Sequence, residues 1–388
     1  MSTVLEAPHV EPRVSGRSGK VPRRVLTLSL LLAAGVWAGV ATGVLPRSLL
    51  AGRLSLAAFG GGYAYHVIGD PDDVARPTRA GFVLQGGGTD IDDGFRWLIE
   101  RSGGGDFVVL RSSGTNAYNS YIYDMTARDG ARPDSVATLI VKSRAAASDP
   151  FVLDLVRNAE ALWIAGGDQG RHVAVWRGTP LADAIQGLIA RGAPIGGTSS
   201  GLAVFGPVVY TADADGPKAP HLTSTTVTRD PFCPRVTLRP GFLRMPFLED
   251  AILEPHFIQE SRHGRLAGFL SRADAGATRG LGIDRKTALL VEPDGTARVI
   301  THPDHPFGTA TFFSGPVRPT VCEPGRPLST VVQAVEFGRG GRVDLKAWGG
   351  EGGKPYRLAV DAGKVTIHMG QGRAAGGGLV DLRPVHSD

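Results

Sequence analysis

Ala193-Pro-Ile-Gly-Gly-Thr-Ser-Ser-Gly-Leu-Ala-Val-Phe205 is a short apolar run that ends in glycines, followed by a serine among small residues and then a helix-compatible segment. Within it, Gly197-Thr-Ser199-Ser-Gly201 has the form Gly-x-Ser-x-Gly, the pattern of a nucleophile elbow. A serine that attacks a carbonyl must project from a tight strand-to-helix turn, where flanking glycines remove side chains that would collide. The helix that follows presents unpaired backbone N–H groups beside the charge that develops during attack. With 54 glycines in 388 residues the pattern needs support from elsewhere in the chain.

That support comes from the order of elements. Gly81-Phe-Val-Leu-Gln85, Asp106-Phe-Val-Val-Leu110, Ser135–Val141 and Ala161-Leu-Trp-Ile-Ala165 read as buried strands, and Ala193-Pro-Ile195 feeds the elbow as another. Helical segments alternate with them: Ile91–Arg101, Pro150–Asn158 and Leu181–Arg191, the second with proline at a permitted first-turn position. This alternation predicts an α/β fold, a three-layer sandwich with a mostly parallel sheet. Ligands of such sheets bind outside the carboxyl ends of the strands. Three of those ends carry glycines, at Gly86–Gly88, Gly166–Gly167 and Gly196–Gly197. Gly60–Thr78 reads as a lead-in, and Thr211–Pro240 as a long polar stretch. Residues 296–388, strand-prone and rich in glycine and proline, read as a small β-rich C-terminal extension. The expected domains are 1–58 (export signal or membrane anchor with lead-in), 59–295 (catalytic) and 296–388 (extension).

Composition narrows the function. Hydrophobic residues at 42% and charged residues at 20% describe a globular protein, and the net charge of +5 is modest. No basic block interleaved with aromatics suggests a nucleic-acid surface. Arg13, Arg17, Lys20, Arg23 and Arg24 precede an uncharged run from Val25 to Leu45, a basic region followed by an apolar one. It predicts export, with a cleaved signal or a retained anchor both open, and with them membrane contact through residues 25–45. In an exported chain Cys233 and Cys322 either form one bridge or remain two thiols. His302-Pro-Asp-His305 lacks further ligands nearby, and no metal or cofactor is expected.

A serine nucleophile needs a base, and His256 has the best context of the ten histidines because it follows an apolar run at a strand end. Gly86-Gly-Gly-Thr-Asp90, Gly166-Gly-Asp-Gln169, Gly196-Gly-Thr-Ser-Ser-Gly201, and His256-Phe followed by Arg262-His-Gly-Arg265-Leu occur in one order. In that order and spacing the chain resembles the dipeptidase E/cyanophycinase family of serine peptidases over about Arg79 to Glu292, and cyanophycinase-type members most. The resemblance implies a glutamine-amidotransferase-like fold, Ser199 as nucleophile and His256 as general base. It also implies oxyanion N–H groups from Gly167 and Ser200, and substrate binding by Gln169, Arg262 and Arg265.

Several positions depart from the family pattern. Glu254-Pro255-His256 stands where Asp-Gln-His or Asp-Thr/Ser-His is usual, Glu260 replaces an arginine, and Ser200 replaces an alanine. The acid that would orient His256 is sought between Ser199 and His256. There Thr226 falls where a glutamate often stands, leaving Asp213 and Asp215 as candidates and Asp230 as a poorer one. The expected function is an exported serine peptidase acting on small acidic or isoaspartyl peptides, cyanophycin-like polymer included. A catalytically impaired relative that binds peptides at the envelope is the alternative, and a homodimer stays open.

Overall fold

The computed structural model describes residues 58–60, 62–127, 132–213, 221–315, 317–370 and 382–385. All lie in the unit Arg47–Asp388. The apolar run 25–45 and the candidate acid Asp215 fall outside the described residues. Among the described residues no helix is long and apolar enough to cross a membrane.

Five of the expected strands form the parallel centre of an eleven-stranded sheet. Their spatial order is Ser135–Val141, Phe107–Arg111, Ala161–Ile164, Ile195–Thr198 and Phe82–Gln85. They are short and apolar because both faces are covered. Val83, Phe107, Val109, Ala161 and Trp163 face a core that holds Phe95, Leu98 and Ile99 of the helix Asp92–Arg101. Their strand neighbours Leu84, Val108, Leu110, Leu162 and Ile164 are also fully buried, so the pleat sends them to the other face. Trp163 is 1% exposed and lies 4.7 Å from the Phe95 ring. A Cβ on Gly196 would come within 2.5 Å of its indole, so the glycine leaves the space that the indole fills.

This strand order seats the elbow strand Ile195–Thr198 between Ala161–Ile164 and Phe82–Gln85. Thr198 pairs with Gln85, and Gly197 with Ile164. The three glycine-bearing strand ends are therefore adjacent and level, as the sequence pattern requires.

A second, nine-stranded sheet includes the parallel strands Val208–Tyr210, Ala251–Glu254 and Arg279–Ile283. Its core gathers Val227, Phe257, Leu266, Phe269, Phe313 and Leu358. The short helix Ser200–Ala203 touches both Ile195–Thr198 and Ala251–Glu254.

Two expectations need correction. Tyr63–Gly69, expected as lead-in, is a strand paired antiparallel to Ser135–Val141, and so occupies one flank of the parallel centre. The expected break at residue 295 is also absent. Thr296–Thr301 extends the first sheet by pairing with Thr287–Val291, while Ala310–Ser314 joins the second by pairing with Arg279–Ile283. The β-rich C-terminal region thus continues both sheets, because each would otherwise end in an unpaired edge. Cys233 and Cys322 are free thiols packed against the second core.

Trp163→Ala should cost about 3–5 kcal/mol of stability, because it opens a cavity between Phe95 and Gly196. A lowered urea midpoint with an unchanged slope would show it; a midpoint equal to that of the wild type would count against this account of the core.

Candidate active site

Ser199 occupies the turn between the strand Ile195–Thr198 and the helix Ser200–Ala203, with φ 54° and ψ −118°. A non-glycine residue rarely adopts this conformation, and the surroundings enforce it. The Ser199 N–H donates to the Gln85 carbonyl at 3.1 Å. A Cβ on Gly201 would meet the Ile164 carbonyl oxygen at 1.9 Å, so only glycine lets the helix start this close to the neighbouring strand.

His256 follows the strand Ala251–Glu254 and also has positive φ, at 50°. Its N–H donates to the Gly86 carbonyl at 2.8 Å. A Cβ on Gly87 would fall 2.2 Å from the imidazole Cε1, so this strand-end glycine is the floor on which the ring lies. The ring's Nε2 is 2.8 Å from Ser199 Oγ. The loop beneath is pinned by buried polar contacts: Gln85 donates to Asp90 at 2.5 Å and to Thr198 at 3.1 Å, and Tyr118 donates to Asp90 at 2.6 Å. Burial pushes the Asp90 carboxyl above its usual range despite these donors.

Gly166 and Gly167 end the adjacent strand, and a Cβ on Gly166 would lie 3.3 Å from the Ser199 Cβ. The Ser200 N–H stands in the first turn of its helix, where donors lack an intrahelical acceptor. Of the expected oxyanion pair, Ser200 directly follows Ser199, and Gly167 directly follows Gly166 at the adjacent strand end.

Among the described residues between Ser199 and His256, the expected orienting acid is not where it was sought. Asp213 is half-exposed and accepts from Arg239 Nε at 2.9 Å, an interaction that holds its carboxyl below the usual range. The Thr226 hydroxyl pairs with Thr223 at 2.9 Å, and Asp230 accepts from the Phe232 N–H at 2.9 Å. The group at His256 Nδ1 is Arg285, whose Nε donates to it at 2.9 Å. Arg285 comes after the histidine in sequence, in the connection between Arg279–Ile283 of the second sheet and Thr287–Val291 of the first. Nothing in its local sequence marks it; only its place beyond a strand's carboxyl end could have drawn attention to it.

This contact has a chemical consequence. A guanidinium donates and never accepts, so Nδ1 must hold a lone pair, and the proton of a neutral ring then sits on Nε2, facing Ser199. Burial first, then the positive charges of Arg262 and Arg285, lower the His256 pKa to about 4, with Glu260 opposing them.

The arginines expected to hold substrate have other roles. Arg265 is 2% exposed, donates through Nε to Glu254 at 3.0 Å and through Nη1 to the Leu222 carbonyl at 3.1 Å, and lies over the Tyr210 ring. Arg262, 8% exposed, donates to the Pro255 carbonyl at 2.7 Å and pairs with Glu260 and Glu254. Glu254 and Glu260 thus hold both guanidiniums as internal ion-pair partners, which corrects their expected role. Gln169 is half-buried and donates to the Tyr210 carbonyl at 3.1 Å. His302 is tied to Asp304 at 2.6 Å.

Glu254→Ala should destabilise the fold by about 3–5 kcal/mol, since it strands a buried guanidinium. Chemical denaturation measures this, and a loss below about 1 kcal/mol would refute a structural role for the pair.

Residues 116–300, which include Ser199, His256 and Arg285, match the model of Peptidase family S51. The chain is 29% identical over 208 residues to a cyanophycinase of Synechococcus elongatus, covering 52% of this chain and 59% of that protein. It is 26% identical over 199 residues to a cyanophycinase of Geminocystis herdmanii (strain PCC 6308), covering 51% and 63%. The chain therefore spans less than two thirds of the length of these curated relatives. A peptidase from an acI-B1 Actinobacterium, known as a crystal structure, aligns over 69% of this chain and 98% of its own at 17% identity and a TM-score of 0.47. Over residues 116–300, which hold its ordered motifs from Gly166 onward, the chain is similar to the S51 peptidases.

Proposed function

We propose that this protein is a serine-type peptidase in which Ser199 is the nucleophile and His256 the general base. The observation that carries the reading is the 2.8 Å contact between Ser199 Oγ and His256 Nε2 at a strained strand-to-helix elbow. Ser199 attacks the scissile carbonyl, His256 takes its proton and returns it to the leaving amine, and the Gly167 and Ser200 N–H groups hold the oxyanion. The cyanophycinases among its relatives support small acidic or isoaspartyl peptides as substrates, with cyanophycin as the sharpest case. Gln169 remains the candidate substrate contact among the three residues expected for that role. The basic residues ahead of the apolar run 25–45 support export, with catalysis outside the cytoplasm.

A second reading, a catalytically impaired relative that binds peptides at the envelope, is favoured by one observation. The base receives a cation at Nδ1, where catalysis calls for an acceptor.

Labelling of the purified protein by a fluorophosphonate separates the two. The peptidase reading expects covalent labelling that is abolished in Ser199→Ala and slowed on the order of 10²–10⁴-fold in His256→Ala. Absence of labelling in a folded wild-type protein, both with and without a saturating carboxylate such as succinate, would support the second reading. The base works only when neutral, and its pKa is held near 4. Labelling should therefore stay level down to about pH 5 and fall as the pH drops through about 4; a loss centred near 6.5, the ordinary histidine value, would contradict the site's electrostatics.

A further inference from the structure

We infer that Arg285 is the residue through which this site reads a carboxylate on its substrate, and that capture of that carboxylate releases His256 into the tautomer catalysis requires. The inference deepens the serine-peptidase reading and rests on it. It starts from the conflict at the imidazole. With Arg285 Nε donating to Nδ1, the neutral ring carries its proton on Nε2, and Ser199 Oγ has no lone pair to give its proton to. In serine peptidases a base held in the wrong tautomer loses on the order of 10⁴ in turnover. Arg285 is thus a positioning residue that keeps the resting site latent.

The neighbours of Arg285 indicate what moves it. Its Nη2 already donates to a carboxylate, Glu260 Oε1, at 2.8 Å. Nη1 has no hydrogen-bond partner among the described residues, and the side chain is 46% exposed, whereas Arg262 and Arg265 are buried. Three arginines, Arg262, Arg265 and Arg285, meet two glutamates, Glu254 and Glu260, so the cluster carries one uncompensated positive charge. An incoming carboxylate fits this arrangement, because a guanidinium binds it through two parallel donors that an imidazole nitrogen cannot match.

The proton count closes. When Arg285 leaves Nδ1, water delivers a proton to Nδ1 and removes one from Nε2, and the ring stays neutral. Ser199 Oγ then bonds to the carbonyl carbon while its proton passes to the freed Nε2 lone pair, and that proton goes to the leaving nitrogen as the C–N bond breaks. The imidazolium formed between these steps would be repelled by an Arg285 still at Nδ1, and the substrate carboxylate removes that repulsion.

The test uses the full-length chain with ¹⁵N-labelled histidine, observed near pH 7, and succinate as the carboxylate probe. Wild-type His256 should show the Nε2–H tautomer, and saturating succinate should convert it to Nδ1–H. Arg285→Glu should show Nδ1–H without succinate and react with a fluorophosphonate at least tenfold faster than wild type. Arg285→Ala should lose the succinate response, and a peptide bearing a carboxylate beside the scissile bond should lose its advantage over the matching carboxamide. A wild-type ring already in the Nδ1–H form, or a succinate response retained in Arg285→Ala, overturns the inference. If the tautomer switches as described but no form is labelled, the carboxylate reading stands and the serine-nucleophile reading falls.

Discussion

The imidazole of His256 lies between two groups that make opposite demands on its single proton. Ser199, in the proposed role of nucleophile, needs an acceptor at Nε2, while Arg285 supplies a donor at Nδ1 and so places the proton on the other nitrogen. The rest of the site serves to hold this ring. Gly87 is bare so that the ring can lie on it, the Gly86 carbonyl fixes its backbone, and the Asp90 network anchors the loop that carries both glycines. Strained backbone at Ser199 and His256 is sustained because each residue is bonded to a rigid strand end.

The two sheets divide the labour. The first presents Ser199 and three adjacent glycine-bearing strand ends, and the second delivers His256. The chain passes from the second to the first at Asp284-Arg285-Lys286. Asp284 accepts from the Ile258 N–H at 3.0 Å and from the Thr309 N–H at 2.9 Å, so the same crossover that carries Arg285 also clamps the turn after His256. Burial raises the Asp284 carboxyl above its usual range. The geometry around the base therefore depends on contacts between strands that are far apart in sequence.

The charges around His256 form one connected set. Glu254 draws Arg265 and Arg262 inward, and Glu260 shares its carboxylate between Arg262 and Arg285. A buried guanidinium requires a nearby anion, because desolvating an unpaired charge costs several kcal/mol. The two glutamates supply those anions, and the more exposed guanidinium, that of Arg285, is the one that contacts His256. An arginine's function here follows from which carboxylates lie within reach of it.

Sequence alone determined the parallel strands, three of the helices between them and the turn at Ser199, and it singled out His256. Each of these is written in local pattern: continuous apolar runs, glycines at strand ends, one histidine after an apolar run. The helices Ala117–Ala127 and Gln169–Trp176 carry no comparable signal. The Gly87 floor could also be anticipated in part, since strand-end glycines cluster where ligands bind. Tertiary structure alone decided the partner of His256 Nδ1. A search for an acid between Ser199 and His256 led to Asp213, which the fold instead gives to Arg239. It likewise decided that Arg262 and Arg265 are internal, and that residues after 295 complete both sheets. Hydrogen-bond and ion-pair partners are set by which strand edges meet, and no local periodicity records that.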